Sequence, residues 1–165
     1  MPGPLTVSLP NDTDILVVRS FDSPRALVWR CFNEPALVRR WLLGPDGWTM
    51  PECEIDLRVG GRFRYVWAHP DGRRMQASGE YHVVEPCDLI VHRERFDEDW
   101  GDPEGSLVTT TFVEKHGCTV VAMTMSFPSQ AKRDAAAATG MTDGMEESYA
   151  RLDAILAALE TARAE

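Results

Sequence analysis

No stretch of the 165-residue chain approaches the roughly 18 consecutive apolar residues that a membrane span requires. The N-terminus, Met-Pro-Gly-Pro-Leu, has neither the basic residue nor the apolar core of a secretory signal. A cytoplasmic location is therefore the expectation. Basic residues nowhere exceed two in a row, apart from looser sets such as Arg62-Phe-Arg64, and the net charge is −9. Nucleic-acid binding needs a basic face to neutralise phosphates, so nucleic acid is not expected as a partner. Cys31, Cys53, Cys87 and Cys118 form no CxxC and no Cys/His ligand pair. They read as reduced, mostly buried small hydrophobes, and no metal is expected. No P-loop or Rossmann glycine fingerprint occurs, because Gly60-Gly61 is not followed by a helix. No Ser or Thr has a base at a motif spacing. Neither a cofactor nor a catalytic residue is assigned.

What the chain has is strands. Residues 1–13, with three prolines, read as a flexible tail before a domain over 14–163. Asp14 to Phe21 is β-branched and apolar, a first strand. Ser23-Pro24 marks a helix start with Ser as cap. Asn33-Glu34-Pro35 ends that helix and opens a second, with Leu37, Val38, Trp41 and Leu42 on one face. Glu52 to Val59 alternates Cys53, Ile55, Leu57 and Val59 against charged residues, a strand ending at the Gly60-Gly61 turn. Further strands follow over Arg62 to His69, Gln76 to Val84, Leu89 to Phe96, Leu107 to Glu114 and Thr119 to Phe127. Gly79 marks a bulge or bend. Residues 97–105 read as an acidic loop, and Gln130 to Ala138 as a short helix or lid. Short connections make this run of strands an antiparallel meander.

The chain closes on an amphipathic helix, roughly Asp143 to Arg163. Met145, Tyr149, Leu152, Ile155, Leu156 and Leu159 share one face. Asp143 reads as the cap, with Glu146 at capping-box spacing, and Glu147 and Arg151 as an i,i+4 pair. The order β-α-α-β-β-β-β-β-β-α makes an α+β domain. A curved antiparallel sheet wrapped around this last helix is the helix-grip arrangement.

Trp41, Gly44-Pro45, Asp56-Leu-Arg58, Gly60-Gly61 and Phe63, then Asp71-Gly72, Gly79-Glu-Tyr81, Glu85-Pro86 and Gly144…Leu152, run in an ordered set over about residues 14–160. In this the chain resembles the START-like (SRPBCC) superfamily, and within it the domain called activator of heat-shock-protein-90 ATPase homologue. It departs in having Trp41-Leu42 where paired tryptophans are common, and Met145 where Trp often follows the glycine. The resemblance implies a helix-grip (Bet v 1-like) fold with a cavity between the long helix and the concave sheet. It carries no shared catalytic set, and fold alone does not fix function.

Phe63, Tyr65, Trp67, Tyr81, Phe112, Met123, Met125, Met145 and Tyr149 are the candidate ligand-binding residues. Aromatic and Met side chains make an adaptable apolar wall. Plain core packing is the competing reading, since alternation cannot tell a filled core from a lined cavity. His82, His92, Glu80 and Glu94 make an acid–base site conceivable, but outward-facing solvated residues are the expectation. Asp56 and Arg58 read as a cross-strand polar pair, and Arg64, Arg93 and Arg95 as surface arginines. The leading expectation is a protein that binds a small apolar or amphipathic molecule between the last helix and the sheet. A chaperone-ATPase-modulating interaction domain and a cyclase- or dehydratase-type enzyme are the alternatives. The chain is read as a lone domain, without the additional N-terminal domain of the eukaryotic co-chaperone. The oligomeric state stays open.

Overall fold

A computed structural model describes residues 3–97 and 104–164. The acidic loop expected over 97–105 lies for the most part outside the described residues. Among the described residues, eight strands form one open, curved antiparallel sheet: β1 (Thr6–Ser8), β2 (Asp14–Phe21), β3 (Thr49–Ile55), β4 (Arg62–Ala68), β5 (Arg74–Glu85), β6 (Leu89–Phe96), β7 (Ser106–Lys115) and β8 (Cys118–Ser126). Their spatial order is β1-β2-β8-β7-β6-β5-β4-β3. The helices among the described residues are α1 (Arg25–Asn33), α2 (Pro35–Trp41), α3 (Gln130–Ala137) and α4 (Met141–Ala164). This is the expected α+β helix-grip fold.

β2 and β3 follow one another in sequence but lie far apart in the sheet. The α1–α2 pair makes that crossing, and its apolar faces cover the sheet on the way. Leu27, Val28, Trp29 and Cys31 of α1 and Leu37, Val38 and Trp41 of α2 are buried. Trp41 donates its indole N–H to the Cys31 carbonyl at 2.8 Å, locking the two helices together. The face they cover, with α4, is the inner face. Ile15, Val17 and Phe21 of β2, Val108 and Phe112 of β7, and Met125 of β8 meet Tyr149, Leu152 and Leu156 of α4 there. A smaller cluster of Val38, Met50, Trp67 and Ala77 lies under α2.

Several local expectations need correction. Thr6–Ser8, within the expected tail, pairs with Val18–Leu16 of β2. Such pairing is set by the partner strand and leaves little local signature. Pro24, not Ser23, occupies the α1 N-cap, and no side chain caps it. The Ser23 carbonyl accepts instead from the Thr119 hydroxyl at 2.7 Å. β3 ends at Ile55, four residues short of the expected end, because the chain turns from Asp56 to Gly61. Gly60 takes φ +82° in that turn, where a side chain is strained. Asp56 and Arg58 do pair at 2.9 Å, but within the turn rather than across strands. The β5 bulge falls between Tyr81 and Val83, not at Gly79.

In α4, Asp143 lies inside the first turn and its N–H bonds the Gly140 carbonyl. Glu146 accepts from the Leu5 N–H at 3.2 Å instead of closing a capping box. Arg151 leaves Glu147 and donates to the Gly44 carbonyl at 2.7 Å and to Asp46 at 2.9 Å. The cysteines form no disulfide; only Cys31 is buried, the other three being half-buried. No helix among the described residues is long and apolar enough to cross a membrane.

Candidate functional site

Strand register builds the inner face in rows, because residues paired across antiparallel strands point to the same side. One row runs Ile15, Met125, Val108, His92, Tyr81. The next runs Ser106, Glu94, Gly79, Phe63, Ile55. A third holds Phe96, Ala77, Tyr65 and Cys53. His92 and Glu94 therefore stand on the inner face beside Phe63, Tyr65 and Tyr81. The expectation that all four His/Glu residues face solvent is corrected for this pair. Glu80 and His82, one position out of phase, are exposed as expected. The segment Leu89–Phe96 carries polar residues on both faces, so its phase was ambiguous. The available signal was that His92 and Glu94 alternate with Ile90 and Phe96, two apolar residues of the same parity.

The rings around this pair are close. Phe63 lies edge-on to His92 at 5.0 Å between centroids, Tyr81 is 6.0 Å from His92, and Phe63 is 5.1 Å from Tyr65. Gly79 makes room for this. A side chain there would have its Cβ 1.8 Å from the Arg93 carbonyl and 2.6 Å from the Phe63 ring.

The electrostatics are those of groups held away from bulk water. Burial pushes the Glu94 carboxyl up to about 7. Burial lowers His92 to about 4, with His82 adding a smaller push, so its imidazole is neutral at neutral pH. The His92 Nδ1 is buried with no hydrogen-bond partner among the described residues. Burial raises both tyrosine hydroxyls, and Glu94 contributes to each. No hydrogen bond or ion pair reaches the Glu94 carboxyl among the described residues. Yet Glu94, His92 and Tyr65 all keep some accessible surface.

The nine candidate ligand-binding residues divide. Tyr149 packs against Phe21, Phe32 and Trp41, with ring centroids 5.4 to 6.2 Å away. Phe112 packs against Trp29 and Phe32. Trp67 sits in the cluster under α2 and donates to the Leu42 carbonyl at 2.7 Å. Phe63, Tyr81 and Met125 are buried on the inner face, whereas Tyr65, Met123 and Met145 are half-buried. Two clefts elsewhere, about 450 and 250 Å³, lie at the Asp56–Gly61 turn and between Asp22 and the C-terminal half of α4. Neither is lined by any of the nine.

Sequence reading missed the residue that ties α4 to the sheet. Arg19, 4% exposed on the β2 inner face, donates twice to Asp153, at 2.9 and 2.7 Å, and once to Glu146 at 3.5 Å. Its signal was present: Arg19 shares parity with Ile15, Val17 and Phe21. No group of three or more His, Cys, Asp or Glu able to hold a metal occurs among the described residues. Burial pushes the Cys31 and Cys53 thiols up to about 11, so neither is a thiolate at neutral pH.

A protein of Rhodobacter sphaeroides has a crystal structure similar to the chain at a TM-score of 0.88 and 33% identity, covering 94% of this chain and 99% of that one. One from Mycobacterium smegmatis is similar at 0.81 and 25% identity, covering 93% and 97%. An AHSA1-like protein from Aeromonas hydrophila, at 22% identity and a TM-score of 0.68, covers 85% and 93% and shares the fold. No curated protein matches the chain significantly. The family model described as Activator of Hsp90 ATPase homolog 1-like protein matches residues 22–157, and the chain belongs to that family.

Proposed function

We propose that this protein binds a small apolar or amphipathic molecule between α4 and the inner face of the sheet. One observation carries the reading. Tyr65, His92, Glu94 and Met123 stand on the inner face, with Met145 on α4, and all keep accessible surface. Burial nonetheless shifts the ionisable members strongly. Groups withdrawn from bulk water yet not closed over by packing atoms are those expected to line a chamber. Phe63, Tyr81 and Met125 form its apolar floor in this reading. Trp67, Phe112 and Tyr149 then support the wall from behind rather than touch the ligand. Binding energy comes from apolar area, at about 25 cal/mol per Å² before the costs of association.

The test is titration with Nile red, a neutral apolar dye, together with native mass spectrometry of the purified chain. Saturable binding that weakens in Met123→Trp and Met145→Trp, which fill the space, is the expected result. Absence of saturable binding, with no retained small molecule, counts against the reading.

A second reading, a cyclase- or dehydratase-type reaction in the same space, draws on the inward turn of His92 and Glu94. A carboxyl near 7 and a neutral imidazole are a usable acid and base.

A further inference from the structure

Glu94 stands out among the charged groups of the inner face. Arg19 is occupied by Asp153 and Glu146. Arg133, buried beside the N-terminal segment, donates to the carbonyls of Asn11 at 2.6 Å and Asp14 at 3.1 Å. Glu94 has no cation and no hydrogen-bond donor among the described residues. Its neighbours on the adjoining strands are Gly79, which has no side chain, and Ser106, which is buried. A carboxylate held from water without a partner is unfavourable, and a ligand that supplies the partner relieves that cost.

We propose that Glu94 anchors the ligand, and that the ligand is an amphipathic amine: a cationic nitrogen on an apolar body. This rests on the binding reading above. Three features of the surroundings select the charge. The Phe63, Tyr65 and Tyr81 rings cluster with His92, the strand register sets Glu94 in the same row as Phe63, and aromatic rings attract a cation. His92, lowered by burial, is neutral and does not compete for the carboxylate. An anionic ligand meets a carboxyl with no free guanidinium beside it among the described residues. In the bound state the ammonium N–H donates to a Glu94 carboxylate oxygen, a charge-assisted hydrogen bond. The apolar body lies toward Met123 and Met145.

The experiment uses the whole chain and three compounds of one apolar body: phenylbutylamine, phenylbutanol and phenylbutyrate. Calorimetric titration should place the amine roughly 10- to 100-fold tighter than the alcohol, as expected for a hydrogen bond to a charged group. Phenylbutyrate should bind most weakly. Glu94→Gln should bring the amine to the level of the alcohol. Glu80→Gln, on the outer face of the neighbouring strand, should change neither, which separates a local pair from attraction to the acidic surface. Equal binding of alcohol and amine, preferred binding of phenylbutyrate, or an amine untouched by Glu94→Gln overturns the proposal. So does Glu80→Gln reproducing the Glu94→Gln loss. Nile red distinguishes the two failures. If the dye binds and the amine is not preferred, the chamber stands and the anchor falls. If neither dye nor any of the three compounds binds, both fall.

Discussion

Glu94 and His92 sit two residues apart on one strand and respond to pH in opposite senses. The Glu94 carboxyl is raised from 4.5 to about 7, so the folded state holds its proton more tightly than the unfolded chain. Its contribution is full below pH 4.5 and is lost as pH rises toward 7, by about 3 kcal/mol at most. His92 is lowered from 6.5 to about 4. Its contribution is full above pH 6.5 and is lost as pH falls toward 4. Over the shared window, between the two ordinary values, the slopes cancel. Urea unfolding across that window should therefore show a small pH dependence from this pair in the native chain. Glu94→Gln should unmask a stability that rises with pH, and His92→Gln one that falls with pH. Variants that both retain the native profile would show that neither group is held from water.

At the scale of elements, α4 is fastened by polar contacts as much as by its apolar stripe. Arg19 reaches up from β2 to Asp153, while Ser148 and Arg151 hold the loop at Gly44. Asp153→Asn leaves the buried Arg19 guanidinium with Glu146, at 3.5 Å, as its remaining carboxylate beside the Ser20 carbonyl, and should destabilise by about 3 kcal/mol. Arg19→Met removes the charge along with the need for a partner and should be milder. Denaturant midpoints of the two variants decide this; an equal or smaller loss in Asp153→Asn contradicts it.

These elements also show what a sequence reveals. β2 and β6 have the bounds read from their residues, because turn or break residues flank both segments. β3 misled, since Leu57 and Val59 continue its alternation into a turn where Val59 is exposed. The helix α4 was legible from its stripe. Its partners Arg19 and Gly44 were not, because they are 134 and 104 residues from Asp153 and Ser148. The inward turn of Glu94 was hidden by a strand polar on both sides. The aromatic set was found as a set, but its division into packed and half-buried members depends on helix placement.

At the scale of the whole molecule, the sheet is open, with β1 and β3 at its two edges. β2, β8 and β7 are each paired on both sides and covered by the helical layer. β1 is three residues long, and Val7 and the following Leu9 are exposed. Hydrogen exchange should therefore be slowest in β2, β7 and β8 and fastest in β1, with β3 intermediate. Protection in β1 equal to that of β8 would mean that the edges open only with the whole sheet. Gly79 bears on how such a molecule can change over generations. Any side chain there collides with the Arg93 backbone, which cannot step aside without breaking the β5–β6 ladder. That spot of the inner face is closed to mutational drift, whereas Met123 on β8 and Met145 on α4 have flexible, half-buried side chains. New ligand preferences would have to arise on the helix and the β8 side, with the aromatic floor inherited unchanged.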